Sequence, residues 1–491
     1  MKRNIINISV ALVFLILSAF TFPDEGMWTL NQLGILKWEK MQKTGLQLTP
    51  EQIYSTNSTS LKDAIVLLGG GTSSFISADG LMLTNHHVAF GAIQSVSSVE
   101  EDRLKEGFFA QNHEDELSVP SYTAQVVISQ KDVTEEVLST VSDTMSIETR
   151  AKAIQTKIQE IEKREKGSTE YNCRVNEFYN GVKYYLFTYD IFRDVRLVYA
   201  PPTAIGNYGG EVDNWMWPRH TGDFALMRVY VAPDGKRAKY AKENVPYQPK
   251  VFLTISQQGI KKGDFAMIMG FPGRTFRYRT AAEIQLAKDE TLPMSIALFK
   301  IRMDIIEAAG KNDRATEIKY ASRWRGMANV YKNYLGTLDG MRRTDILKVK
   351  KAEEENFLQF LESNLELKNK YGTIYAEIAS AFELLKEINQ KQVVFSQLMG
   401  SADALTMANR FRSFANSFVK DSTGDIVPNS STLAELKNFI PNAYKNTNFE
   451  VDRDLLTAML LKASELPKSQ EISAISKIIG DKAGEKRTRA I

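Results

Sequence analysis

The sequence has one cysteine, Cys173, and four histidines in 491 residues. A single cysteine excludes an internal disulfide and any metal site built on thiolates. The histidines show no His-x-x-x-His or similar ligand spacing, so a metallopeptidase using His86, His87 and His220 is poorly supported. No cofactor is implied. An excess of charge is missing too. Lys and Arg number 62 and Asp and Glu 59, which leaves +3 and no argument for nucleic-acid binding. There is no internal repeat or low-complexity tract. Beyond the N-terminus, no run is long and apolar enough to cross a bilayer.

What is present begins with "MKRNIINISVALVFLILSAFTFPDEG". It has a basic start (Lys2, Arg3), an apolar centre and small residues near Ala19 and Thr21. That pattern reads as a secretory signal peptide over residues 1–22, with a mature chain starting near residues 20–24. The other reading is an uncleaved anchor, but the apolar run Ile8–Phe20 is short for a span. The expected location is periplasmic or secreted. With no disulfide available, stability must come from packing.

The remaining length exceeds what one compact core supports, so more than one domain is expected. The character changes near residue 285. Before it, "AIVLLGGGTSSFISADGLMLTNHHV" reads as three strands joined by a Gly turn and an Asp-Gly hairpin turn. "YTAQVVISQKDVT", "DIFRDVRLVYAPP", "FALMRVYVAPDGK" and "FAMIMGFPGR" are further strand candidates. One helix interrupts them, with Ser146 as N-cap and Gly167 as stop. After 285, apolar residues recur at three and four, which is the helical period. The expected division is a β-rich region over 23–285 and an α-helical domain over 286–491.

Two stretches carry candidate chemistry. "LMLTNHHVAFGAIQ" sets His86 and His87 side by side after an apolar run. A histidine at a strand end facing a cleft can take a proton from a nucleophile, although a histidine there is more often an ordinary hydrogen-bonded residue. "GNYGGEVDNWMWPRHTGDFALMRVYVAPDG" crowds Asp213, Asn214, Trp215, Trp217, Arg219, His220 and Asp223 into a Gly-rich loop. An acid at the start of the following strand can orient a histidine's second ring nitrogen. The bland alternative is a Trp–Pro surface loop with Asp223 capping a turn.

Together, "LTNHHVAFGAIQ" and "GGEVDNWMWPRHTGDF" resemble the bacterial serine dipeptidyl-peptidase family of the dipeptidyl-peptidase 7/11 type. "FPG" at 271–273 and "NVYKNYLGTLDGM" at 329–341 are similar to that family as well. The resemblance covers the chain from about Asp24 onward. It implies an α+β multidomain fold, with a chymotrypsin-like antiparallel β-barrel peptidase region and a large α-helical domain. It implies release of dipeptides from free peptide N-termini, with no nucleic-acid or membrane partner after signal cleavage. A homodimer stays open. By position, His87 matches the general base, with His86 as its supporting neighbour, and Asp223 matches the acid that orients it. Asn214, Trp215 and Arg219 match the region that anchors the substrate's amino terminus. Asn214 suits an ammonium and Trp215 an apolar or cation–π wall. Arg219, a cation, suits a carbonyl or a bracing role.

The sequence departs from the family pattern twice. The family commonly pairs two cysteines where this chain has Gly71 and Val88. It also carries a nucleophilic serine in a Gly-x-Ser-Gly turn, which is not found here. Ser401 lies in a helical stretch, and Ser73 and Ser74 belong to the turn before the histidines. The expectation is therefore an incomplete second barrel and a chain that is inactive alone. A non-catalytic exported peptide-binding protein is the alternative.

Overall fold

The computed structural model describes residues 28–32, 38–142, 144–273, 276, 278–420, 423–428 and 430–479. The signal peptide read from the sequence lies outside them. Among the described residues, no helix is long and apolar enough to cross a membrane. The architecture is α+β: one large antiparallel sheet in the first half and helices in the second.

The sheet contains β1 (Ile65–Leu68), β2 (Gly71–Phe75), β3 (Leu81–Thr84), β4 (Phe108–Phe109), β5 (Leu117–Ser118), β6 (Ala124–Asp132), β7 (Asn172–Phe178), β8 (Lys183–Phe192), β9 (Asp194–Ala200), β10 (Ala225–Val231) and β11 (Val245–Pro246). Its central order is β9-β10-β3-β2-β1-β6-β8. Only Arg193 separates β8 from β9, so the strand that ends this order also begins it. The chain thus makes a circuit around one apolar interior, with no β8–β9 pairing among the described residues. Val66, Leu68, Phe75, Met82, Phe192 and Leu197 fill it, all fully buried. Each contributes about 1.5–3 kcal/mol through removal from water.

The turn between β2 and β3 ends at Gly80, with φ at 75°. A Cβ there would fall 2.7 Å from the Tyr247 carbonyl oxygen and 2.9 Å from that of Val229, so only glycine fits. The sequence does not show β7, which pairs with β8 over its whole length. Beyond the circuit, β7 and β8 are covered by α2 (Ile147–Lys166), whose Ile154, Ile158 and Ile161 meet Cys173, Val175 and Leu186. These isoleucines sit four and three residues apart, on one helix face. The Ser146 hydroxyl accepts the N–H of Thr149 and caps that helix.

The segment "FAMIMGFPGR" forms no strand, which corrects the sequence reading. Its alternation is real: Phe265, Met267 and Met269 pack on Leu46 and Ile53, while Ile268 is fully exposed. The period of two therefore reports an extended backbone with one buried face. A strand also needs a ladder partner, and none pairs with it among the described residues.

From Ala281 onward the chain is almost wholly helical. Here α3 (Leu292–Gly310) and α4 (Arg314–Arg343) pack with α6 (Phe449–Ser464) around Ile306, Tyr320, Met327 and Leu455. In turn α5 (Ile374–Met399) meets α3 and α6 through Leu298, Leu398 and Met459. Two contacts fix α4 against the sheet. Arg314 donates twice to Asp102, at 2.7 and 2.8 Å. Gln94 donates to the Ile318 and Lys319 carbonyls, each at 2.7 Å, and accepts the N–H of Ser322 at 3.2 Å.

Candidate active site

Strand β3 ends at Thr84, and helix α1 (His86–Ser95) starts two residues later. His87 thus occupies the first turn of a helix that follows the strand. Asn85 is the N-cap, with an extended backbone (φ −80°, ψ 149°). Its side chain does not cap the helix. It donates instead to Asp223, at 3.1 Å to Oδ2 and 3.2 Å to the backbone oxygen. Asp223, just before β10, supplies the missing cap from outside: its Oδ1 accepts the backbone N–H of His87 at 2.9 Å. A carboxylate at this end is also favoured by the helix dipole.

The same carboxylate meets the imidazole. His87 Nδ1 and Asp223 Oδ2 are 2.7 Å apart. The imidazole is 56 % exposed and the carboxylate 23 %. Burial acts to raise the Asp223 pKa, but the bonds from the His87 ring, the His87 N–H and Asn85 outweigh it. The carboxyl is held below its ordinary range. An ionised Asp223 fixes the ring and leaves Nε2 free of a partner among the described residues. That is the posture of a general base and its orienter.

His86 lies in the opposite environment. It is fully buried, edge-on to Phe90, with ring centroids 5.8 Å apart. Burial first, and then the Arg325 guanidinium, push its pKa down to about 4. The loop at Gly206 presses on the ring so closely that a Cβ there would lie 2.4 Å from His86 Cγ. Thr221 donates to the Gly206 carbonyl at 3.1 Å, and the Gly222 N–H bonds the Ile205 carbonyl at 2.9 Å. These bonds hold the loop against the chain that leads into Asp223.

The loop 207–220 is built on α4. Asn214 Nδ2 donates to Glu211 and to Asn329 Oδ1, each at 3.0 Å, and its Oδ1 accepts from Arg219 at 3.1 Å. Trp215 sits in the left-handed region, with φ at 60°. Its indole N–H donates to the Asn329 backbone oxygen at 3.1 Å, while the ring stays 60 % exposed. Arg219 braces the loop by bonding Asn214 and Asn207. Lys332 holds the carbonyls of Glu211 and Val212. The structure thus joins Asn214, Trp215 and Arg219 into one network and adds Asn329 and Lys332. The sequence offered one hint of these two, since both lie in "NVYKNYLGTLDGM".

Gly71 and Val88 are neighbours. A Cβ on Gly71 would lie 2.5 Å from a Val88 methyl and 3.2 Å from Val88 Cβ. The Val88 side chain fills the space where a second side chain would stand. Ser401 is fully buried and bonds the Leu398 carbonyl, and Ser73 bonds the Leu83 carbonyl. Among the described residues, no serine hydroxyl bonds the His87 ring. No group of three or more potential metal ligands occurs among them either.

Comparison with known proteins identifies the family. The Peptidase S46 family model matches residues 23–491, and the chain belongs to that family. It is 36 % identical over 483 residues to the dipeptidyl-peptidase 7 of Capnocytophaga gingivalis, covering 96 % of this chain and 66 % of that protein. It is 38 % identical over 353 residues to an Asp/Glu-specific dipeptidyl-peptidase of Flavobacterium psychrophilum, covering 72 % and 49 %. Among solved structures, it resembles Porphyromonas endodontalis DPP11 in complex with the dipeptide Arg-Asp. The TM-score is 0.80 at 31 % identity, over 94 % of this chain and 66 % of that one. The chain spans 66 %, 63 % and 55 % of the lengths of three dipeptidyl-peptidase 7 relatives.

Proposed function

We propose that this chain carries the base and the amino-terminus anchor of a serine-type dipeptidyl aminopeptidase, which releases dipeptides from free peptide N-termini. The observation that carries the reading is the 2.7 Å contact between His87 and Asp223, within reach of proton transfer. In it His87 is the general base and Asp223 its orienter. Asn214, Trp215 and Asn329 receive the ammonium of the substrate, and Arg219 braces them. The circuit of strands is the first barrel of a chymotrypsin-like pair, and the helices from 286 onward form a second domain. The protein acts after export, in the periplasm or outside the cell. The nucleophile in this reading is a hydroxyl, and among the described residues no serine hydroxyl bonds the His87 ring. On its own the chain binds peptides without turnover, so a peptide-binding role remains the second reading.

Calorimetric titration tests the anchor directly. A free dipeptide should bind the purified chain, and its N-acetylated form should not, because acetylation removes the charge and donors of the ammonium. Asn329→Ala should weaken the free dipeptide by about 1.5–3 kcal/mol, the scale of a hydrogen bond to a charged group. Equal binding of acetylated and free dipeptide would exclude an amino-terminus anchor here.

A further inference from the structure

Behind the His87–Asp223 pair lies a second polar cluster that the proposed reaction does not use. Its members come from α1, α4 and the loop between β9 and β10. His86 Nδ1 and Nε2, Arg325 Nη1, Arg219 Nε and Ser322 Oγ are all buried and have no hydrogen-bond partner. Those of His86, Arg325 and Arg219 are contiguous. The His86 ring lies against Gly206. The next residue, Asn207, accepts from Arg219 and from Arg325 through one oxygen, each at 3.2 Å. Phe90 touches both sides: its ring is edge-on to His86, and the Arg325 guanidinium carbon sits 4.5 Å from its centroid. Ser322 is one helical turn before Arg325, and its hydroxyl faces Gly91 at 3.8 Å from where a Cβ would be.

Buried polar groups almost always have partners, and buried charges are usually paired. Here two guanidiniums stand close together without an ion pair among the described residues. The nearest acids are committed elsewhere: Asp223 to His87 and Asn85, and Glu211 to Asn214. The unused groups are also mostly donors. Arg325, Arg219 and one nitrogen of His86 offer hydrogens, whereas only the other His86 nitrogen can accept. A water molecule brings two hydrogens that need acceptors. A small anion brings none, and it offsets the unpaired positive charge.

We propose that this cluster binds one small inorganic anion of the halide class, held by Arg325, Arg219 and His86. The bound anion ties the start of α1, which carries His87, to α4, which carries Asn329. The site does not depend on turnover or on the peptidase reading.

Two measurements on the purified chain test it. Crystals grown in sodium bromide should show a bromine anomalous peak in contact with Arg325 Nη1. Thermal unfolding at constant ionic strength, with gluconate exchanged for chloride or bromide, should show a saturable rise in Tm with halide. Arg325→Leu should abolish that rise, and Arg325→Lys should keep part of it. Should the leucine variant fail to fold, the anomalous map of the unsubstituted protein decides independently. The proposal is overturned by ordered water alone in the cluster, by a Tm that ignores anion identity, or by a halide response that survives Arg325→Leu.

Discussion

His86 and His87 are adjacent in sequence, yet they belong to two regions with opposite physics. Around His87 the ring is open to solvent, and one carboxylate serves the ring, the helix end and Asn85 together. Around His86 the polar groups are buried and unsatisfied, beneath Gly206 and beside Arg325. The difference follows from helix geometry. Consecutive side chains at a helix start point about 100° apart. One therefore faces solvent and Asp223, and the other faces the interior against α4. A pair of identical residues becomes a solvent-facing group paired with a carboxylate and a core group through position alone.

The comparison breaks most severely at His87. In a preparation with peptidase activity, His87→Ala should lower kcat by about a millionfold, as loss of the histidine does in well-studied serine proteases. His86→Ala should act chiefly on stability, because that ring has no access to substrate. Peptidase assays and thermal unfolding on both variants separate the two. If His86→Ala removes turnover at unchanged stability while His87→Ala leaves it intact, the roles are reversed.

Asp223→Asn should be next, with a loss in kcat of about ten-thousandfold from the wrong imidazole tautomer. The amide also stops accepting all three donors at once, so some loss of stability should accompany it. A steady-state assay alongside a urea titration reads both.

His86 should show itself on the acid side of the stability curve. Its folded pKa of about 4 lies below the ordinary 6.5, because burial and Arg325 oppose its charging. Between those values the unfolded chain binds a proton that the folded chain does not, so stability falls as pH falls through that window. The full effect is about 3 kcal/mol, at roughly 1.4 kcal/mol per pH unit. In halide-free buffer, His86→Phe should flatten the slope of stability against pH between 6.5 and 4. Asp223 acts in a lower window. Its depressed carboxyl stabilises the fold above the ordinary carboxylate range, and that contribution is lost as pH drops through its folded value. An unchanged slope in His86→Phe would show that His86 titrates normally.

The smallest expected effect sharpens the boundary between the regions. Gly71 and Val88 stand with Cβ positions 3.2 Å apart, slightly closer than the about 3.5–4.5 Å span of a disulfide. The double substitution Gly71→Cys and Val88→Cys should form a bridge under oxidising conditions and add about 1–3 kcal/mol, a little below the usual range because the geometry is tight. Thiol titration and reversible loss of the gain on reduction check it.

Much of this was written into local sequence. Apolar and β-branched runs bounded by Gly, Pro or Asp marked β1, β2, β3, β6 and β10, and a serine and a glycine bounded α2 correctly. Periodicity could not place "FAMIMGFPGR", since alternation marks a buried face and says nothing of a ladder partner. It also missed β7, whose Asn172, Arg174, Asn176 and Glu177 carry little apolar signal.

By itself the sequence determined which residue types were on hand: a histidine pair, one acid before a strand, and a Trp-rich loop that leads directly into that acid. These are local properties, fixed by composition and spacing. Only the tertiary structure decided which histidine meets Asp223, because 136 residues separate the partners. It alone brought Asn329 under Trp215 and Arg325 beside His86, since α4 lies more than a hundred positions away from either loop residue. Contacts at such separation depend on how helices and strands pack, and no local pattern encodes that packing.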